Sequence, residues 1–395
     1  MTEFDFAQLT KLADEGGLPA FLDRVATLLA ESNVHASWFE ALLLKTRVEL
    51  GLPIVEEIRL AAIAPAQRAA FEVGYQRACR TVGAALLGAG RIAEAWPYFK
   101  AIHEIEPVRV ALADFAVANL DAATSTSGEQ LDAVIEVGLD GADPVRAFEL
   151  VLAHRGTCDA ITLLEQRASG FPPPVRRTLV TQLLHHFADE LKENLRREIA
   201  KHEAPVAGEF TVAELLNNRR WLLRSAPHVD DAHLQAVVRF APLLDDMADL
   251  RAAAELCSYG LALPSPLQYR EPPPFENFYD DYRALLLALT GVDVDAAVKR
   301  FREKVEQLSA EARRKSQFAA EVLVFLLHRA GRSDEAIAAF REHLGAARRL
   351  TIAPSLNEIC RRAGNYSAVI AAACDRKDLL QFAVAIALEK TRPSD

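Results

Sequence analysis

Histidine and carboxylate side chains that could bind a metal are concentrated in residues 175–203, which are predicted to form one long helix. His185 and His186 are followed four residues later by Asp189 and Glu190, respectively. Residues four apart lie on one face of a helix, where they can pair or share an ion. Carboxylate-bridged metal sites in helical proteins need a Glu-x-x-His pair on each of two helices and two further Glu. That spacing is missing, so we predict solvated polar pairs, with no metal and no cofactor.

Motifs of the common catalytic classes are missing from the sequence. It has no glycine-rich phosphate loop, no GxSxG nucleophile turn and no HExxH helix. The five cysteines are far apart, odd in number and without CxxC spacing, which argues against a zinc site and a disulfide framework. A reducing cytosol fits this cysteine usage best. An enzyme is therefore the less favoured interpretation.

The overall charge limits the classes of partner. The 395 residues carry a formal net charge of −10, which repels a phosphate backbone and argues against nucleic acid. Paired arginines, among them Arg176-Arg177 and Arg361-Arg362, are interpreted as solvated helix faces or charges at helix C-termini.

No apolar run approaches the roughly 20 residues of a membrane span, and the first residues lack the basic start of a signal peptide. We expect a cytoplasmic protein without a membrane partner.

Aromatic residues make up only 7% of the chain, yet they crowd around the proline-rich stretch before Phe275. Exposed aromatic side chains with a polar tip are typical anchors for a partner. Tyr269, Phe275 and Tyr279 are therefore candidate partner-binding residues. The alternative is that Phe278 and Tyr282, which are four residues apart, simply pack the next helix.

The elements that would position these residues are helices throughout. Apolar residues recur every three or four positions and sustained alternation is missing, which predicts an all-α chain. Prolines divide it into three segments, 1–171, 172–262 and 263–395. A drifting apolar stripe along the helix at 175–203 favours packing inside the protein. A dimerising helix, and hence a self-assembling structural subunit, is the alternative.

The clearest local pattern surrounds Gly90. Gly83 is small enough for two helices to approach and Gly90 supplies the turn. Ala95 is small at the crossing, Phe99 fills the gap and Pro107 ends the unit. These residues resemble a tetratricopeptide repeat, a helix–turn–helix of about 34 residues with an A-x3-F step and a closing proline. The resemblance implies a right-handed α-solenoid of antiparallel helix pairs.

Weaker copies of this pattern follow along the chain. Gly331, Ala336 and Phe340 repeat it without the closing proline, and Gly364 places a turn 33 residues after Gly331. A looser echo begins at Gly291. The fold class that we predict is therefore all-α, a tetratricopeptide-like α-solenoid in two or three segments.

The resemblance also implies where a partner would bind, because the first helix of each pair lines the concave surface of such a solenoid. In the first unit this face would carry Arg77 and Arg80, which could meet an acidic peptide. In the second unit it would carry Phe325 and His328. Some members of the family clamp a peptide carboxylate with Lys and Asn at these places. The Asn is missing here, which argues against that particular activity.

The function that we predict is a non-catalytic scaffold that binds a protein or peptide on a helical-repeat surface. One alternative is a helical enzyme, or an accessory domain of an enzyme, with a site near residues 263–282. Another is a self-assembling structural subunit. The sequence leaves a homo-oligomer open and does not identify the partner.

Overall fold

A computed structural model describes residues 4–54, 63–115, 126–206, 208, 210–224, 227–309, 311–312, 316–345 and 349–391. Within these ranges the chain forms helices and turns and no β-strand, which confirms the all-α prediction. The 19 α-helices of the described residues are α1 Phe6–Glu31, α2 His35–Glu49, α3 Pro65–Gly88, α4 Ile92–Ala101, α5 Glu106–Ala113, α6 Thr126–Val137, α7 Pro144–His154, α8 Gly156–Arg167, α9 Pro173–Ala200, α10 Val212–Leu216, α11 Asp231–Phe240, α12 Met247–Ala262, α13 Phe278–Leu289, α14 Val294–Gln307, α15 Phe318–Arg329, α16 Ser333–His343, α17 Leu356–Ala363, α18 Ser367–Arg376 and α19 Leu379–Lys390.

The helices form two compact units, residues 1–154 and residues 155–395. In both units, helices that follow one another along the chain pack side by side, such as α3 with α4 in the first and α15 with α16 in the second. The division between the units falls inside the predicted segment 1–171. The prolines near residue 263 do not divide two compact units, because α12 and α13 pack closely against each other across them.

Two of the predicted turn glycines adopt the same backbone geometry. At Gly90 the φ angle is 73°, and at Gly331 it is 77°. In each turn the glycine N–H donates to the carbonyl three residues back, and the next N–H donates to the carbonyl five residues back. A positive φ is costly for residues with a Cβ, which explains why both turns contain glycine.

The residue after each turn glycine is an arginine that pairs with a glutamate three residues further on. Arg91 Nε lies 2.6 Å from Glu94 Oε1, and Arg332 Nε lies 2.6 Å from Glu335 Oε1. Both pairs lie at the start of the second helix of a hairpin, where a carboxylate also stabilises the helix dipole. The two turns therefore agree in side-chain contacts as well as in backbone geometry.

Gly83 of α3 lies against the Phe99 ring of α4. A Cβ built on Gly83 would lie 2.7 Å from Cε2 of Phe99, a residue that is 3% exposed. A side chain at position 83 would therefore displace the Phe99 ring. This confirms the role predicted for the small residue.

The long helix α9 uses its apolar stripe inside the second unit. The residues of the stripe are at most 2% exposed, namely Val180, Leu184, Phe187, Leu191, Leu195 and Ile199. α9 contacts α8, α10, α11 and α12. The stripe is therefore part of the core and not an open surface for a second helix.

Glu321, in α15, fixes the chain that leads into α17. This residue is 4% exposed, and its Oε2 accepts hydrogen bonds from the backbone amides of Thr351, Ile352 and Ala353 at 2.5, 2.9 and 3.4 Å. A buried carboxylate is stable only when such donors replace water. Here the main chain supplies them.

Asp281, in α13, is a second buried carboxylate of this unit. It is 0% exposed and accepts hydrogen bonds from Arg300 Nε at 2.8 Å, Lys304 Nζ at 2.9 Å and the backbone N–H of Asn277 at 2.9 Å. The two cations come from α14, so this carboxylate joins α13 to α14.

Candidate functional site

Arg77 and Arg80 are both exposed on α3, but Arg80 is already paired. Its Nε and Nη2 lie 2.9 and 2.6 Å from Oε1 of Glu104, and these hydrogen bonds lower the pKa of the Glu104 carboxyl. A partner carboxylate would have to displace Glu104 from Arg80. This location is therefore the weaker of the two predicted binding surfaces.

Phe275 and Tyr279 lack the exposure expected of partner anchors. They are 1% and 2% exposed, and Phe275 stacks on Tyr282 with ring centroids 3.8 Å apart. Burial raises the pKa values of the Tyr279 and Tyr282 hydroxyls. The expectation of exposed anchors is wrong for these two residues, because the rings pack on one another in the core beside α13. The alternative is confirmed, since Phe278 and Tyr282 are buried in the same cluster.

Tyr269 differs from its aromatic neighbours because it is 39% exposed. The guanidinium of Arg239 lies 5.7 Å from its ring centroid, and Arg239 also pairs with Glu271. Tyr269 therefore stays a candidate for partner binding, whereas Glu271 is held in an ion pair. The carboxylates near this stretch serve structural pairs, which gives the enzyme alternative no support.

Phe325 and His328 lie near the C-terminal end of α15. Phe325 is 8% exposed, and the guanidinium of Arg329 lies 5.6 Å from its ring centroid. Phe325 is thus a core residue beneath an arginine, so the expectation that a partner contacts it directly is wrong. His328 is partly exposed and lines a recess.

Three arginines from three helices lie close together beside this end of α15. Arg177 in α9 and Arg329 in α15 share Asp245: its Oδ2 lies 2.9 Å from Arg177 Nε, and its Oδ1 lies 2.9 Å from Arg329 Nη1. Arg362 in α17 instead donates from Nη1 to the carbonyl of His328 at 2.8 Å. Arg177, Arg329, Arg362 and Asp245 are called the arginine cluster below.

The arginine cluster carries more positive than negative charge. Two guanidinium groups bind one carboxylate, Arg362 lies near Arg329, and Arg361 adds an exposed cation in the last turn of α17. Burial lowers the pKa of Arg329, and the neighbouring Arg177 and Arg362 lower it further, against the effect of Asp245. Nearby like charges disfavour the charged form of a group. Arg329 therefore lies near two other cations and one carboxylate.

A recess of about 350 Å³ adjoins the cluster and is lined by His328, Pro354, Glu358, Arg361 and Arg362. Burial lowers the pKa of His328 and Arg362 lowers it further, so its imidazole is neutral at pH 7. The buried Nδ1 of His328 has no hydrogen-bond partner among the described residues. Glu358 caps the N-terminus of its own helix. The recess thus offers two guanidinium groups to an anion.

A second recess, of about 770 Å³ between α9, α10 and α12, has a balanced charge. Its charged residues are the cations Lys192, Arg196 and Arg251 and the acids Asp189, Glu214 and Glu255. Lys192 Nζ lies 3.1 Å from Asp189 Oδ1. Because three cations and three acids line this recess, it attracts an anion less than the arginine cluster does.

The carboxylate that pairs with His185 comes from another helix and not from the residues one turn further on. His185 Nε2 instead lies 2.7 Å from Oδ1 of Asp249 in α12, and Thr181 donates to the other oxygen of Asp249 at 2.9 Å. Within the part of the chain that the structure describes, no group of three or more potential metal ligands occurs. His185 therefore contributes to packing between helices.

Arg177 and Arg362 are the residues of this site that the sequence pattern does not bring together. In the sequence, each is marked only as a member of an Arg-Arg pair, and such a pair favours a solvated helix face. They lie in different helices far apart in sequence, so only the fold shows that both lie near Arg329.

Comparison of the chain with protein-family models, curated protein sequences and solved structures finds no match. None of the described helices has the length and apolar character needed to cross a membrane.

Proposed function

We propose that this chain is a non-catalytic, tetratricopeptide-like solenoid of the cytosol that holds an acidic segment of a partner protein at the arginine cluster. One observation carries the proposal. Arg177 and Arg329 share Asp245, and Arg362 donates to a backbone carbonyl and pairs with no carboxylate of the described residues. Guanidinium groups bind carboxylates with two parallel hydrogen bonds, and such charge-assisted bonds are about twice as strong as neutral ones.

The net charge of −10 does not oppose this proposal at short range. Charges on a protein surface are screened beyond about 8 Å at physiological ionic strength. A carboxylate in the recess therefore responds to Arg329, Arg361 and Arg362, and much less to acidic residues elsewhere. The net negative charge slows only the long-range approach of an acidic partner.

The turns support the solenoid part of the proposal. Gly90 and Gly331 agree in φ angle, in hydrogen bonds and in the Arg–Glu pair that follows. A repeated unit that stacks on its neighbours is the basis of solenoid proteins. The free cysteines, of which Cys158 and Cys374 are exposed, support a reducing compartment.

The experiment is a titration of the full chain against a fluorescently labelled peptide of alternating Glu and Ser, followed by anisotropy. The comparison peptide has Gln in place of every Glu. We expect saturable binding of the acidic peptide alone, with an affinity that falls as salt is added. The double variant Arg361→Gln/Arg362→Gln should bind at least about tenfold more weakly, because each lost charge-assisted bond contributes about 1.5–3 kcal/mol.

The matched control is Arg251→Gln/Arg341→Gln, which removes the same two charges from exposed positions outside the cluster. It should bind the peptide as the wild type does. Equal weakening in both double variants would show that net charge alone governs binding and would contradict the site. Failure of the wild type to prefer the acidic peptide would contradict the proposal itself.

A further inference from the structure

The last described helix, α19, exposes an apolar face. Its residues 379–388 contain no charged side chain. Leu379 and Leu380 are 78% and 77% exposed, and Val384 and Leu388 are 45% and 41% exposed. Val73 in α3 is also exposed, but the exposed cations Arg77 and Arg80 follow it one and two turns further along the same helix. Single exposed apolar residues are ordinary, but a continuous patch marks a contact surface.

Leu380, Val384 and Leu388, which are exposed, lie on one side of α19. The opposite side packs against α18, and Ala385 there is only 1% exposed. Glu389 lies one turn beyond Ala385 and thus shares its side of the helix. On the free side, Leu380, Val384 and Leu388 follow at intervals of four and form one ridge. A helix that is apolar on all sides is typically buried on all sides.

The free face is suited to a second copy of itself. It has leucines near both ends, at positions 380 and 388, and Val384 midway between them. Antiparallel packing of two such helices about a two-fold axis at Val384 places Leu380 of each copy beside Leu388 of the other. The exposed Ala383 and Ala387 lie between them and allow a close approach of the two helices. A two-fold contact uses the same patch on both subunits.

The charges that flank the face favour the same arrangement. Lys377 and Asp378 precede it, and Glu389 and Lys390 follow it. In a parallel two-fold pair every residue lies opposite its own copy, so like charges would meet at both ends. In an antiparallel pair each end of one helix meets the other end of its partner. Asp378 of each chain then lies at the same end as Lys390 of the other, an anion beside a cation.

We propose that the free face of α19 binds a second copy of this chain, by antiparallel packing of two α19 helices. A stable interface buries about 800 Å² on each partner, and a helix of 12 residues supplies only part of that area. The dimer is therefore in equilibrium with the monomer. This contact is separate from the arginine cluster and does not depend on the function proposed for it.

Sedimentation equilibrium of the full chain at several concentrations tests the contact. The apparent mass should rise from 43.4 kDa towards twice that value as the concentration increases. Val384→Arg places two guanidinium groups together at the two-fold axis, so this variant should stay monomeric. Val73→Arg, an equally drastic change at an exposed valine of α3, should dimerise as the wild type does.

Disulfide trapping gives an independent test of the geometry. In a Cys158→Ser/Cys374→Ser background, which removes the exposed thiols, Val384→Cys should crosslink two chains upon mild oxidation. Glu389 is exposed but lies on the other side of α19, so Glu389→Cys should not crosslink.

A wild-type chain that is monomeric at every concentration overturns the proposal. That result is expected if another protein or a lipid surface covers this face. A dimer that persists in Val384→Arg, or that crosslinks equally through both cysteines, also overturns it. Circular dichroism of Val384→Arg separates loss of the contact from loss of the fold. The trapping result does not depend on that variant.

Discussion

The ring of Tyr279 in α13 occupies the space over Gly260 in α12. A Cβ built on Gly260 would lie 2.5 Å from Cδ1 and Cε1 of Tyr279. Both residues are buried, and this contact brings the two helices together beyond the proline-rich stretch. Tyr279 is therefore a packing residue because its neighbour has no side chain.

Gly260→Ala should lower the free energy of unfolding by about 1–3 kcal/mol, because overpacking of a filled core costs that much. The better helix propensity of alanine, about 1 kcal/mol, offsets only part of this loss. Chemical denaturation measures the effect. Gly88→Ala is the control, since nothing lies within 4 Å of a Cβ built at this helical position. That variant should be as stable as the wild type or more so; equal destabilisation of both would contradict the packing argument.

Asp281→Asn should destabilise the second unit by about 3–5 kcal/mol, because it leaves Arg300 and Lys304 without the buried carboxylate that they share. The neighbouring Asp280 pairs with the same Arg300 at 2.6 Å but is 44% exposed. Asp280→Asn should therefore cost less than about 1 kcal/mol, as exposed ion pairs do. Thermal and chemical denaturation of the two variants measure the two losses of stability. Similar losses would mean that burial of Asp281 is not what makes its pairs strong.

Glu321→Gln should lower the free energy of unfolding by about 1–3 kcal/mol, because a neutral amide accepts the three main-chain hydrogen bonds less strongly than a carboxylate. The local effect is more diagnostic. Amide hydrogen exchange at residues 351–353 should become faster, whereas exchange in α13 should not change. Unchanged protection at 351–353 would show that Glu321 does not hold this segment.

His328 should make the folded chain less stable in mild acid. Burial, with the nearby Arg362, lowers its pKa below the ordinary value of 6.5. The unfolded chain therefore binds the proton first as the pH falls. The contribution to stability is complete above about pH 6.5 and is lost progressively below it, towards the folded-state pKa.

His328→Gln should reduce this loss of stability below pH 6.5, as measured by denaturation at a series of pH values. His228 should account for a further part, because burial lowers its pKa as well. His154→Gln, at an exposed histidine, should keep the wild-type slope. A slope that is the same in His328→Gln would contradict the neutral state assigned to His328.

The sequence predicted the local features of the fold better than its long-range contacts. The turn at Gly90 depends on a few neighbouring residues, and a glycine marks it. The apolar stripe of α9 likewise predicts burial from spacing alone.

No such marker in the sequence shows which distant helices pack against each other. The pattern of aromatic residues around Phe275 is the same for an exposed anchor and for a core cluster, and only the packing of α12 against α13 decides between them. The proximity of Arg177 and Arg362 to Arg329 depends on how several helices pack. Their chemistry was visible in the sequence, but their proximity was not.

The bonds between Glu321 and residues 351–353 have a consequence for how this sequence can change during evolution. All three donors are main-chain amides, which every amino acid except proline provides. The side chains at 351–353 are therefore free to vary while the contact persists. Position 321 has no such freedom, because only a long carboxylate reaches all three amides. In related chains, one glutamate in a helix should stay constant opposite a segment whose identity drifts.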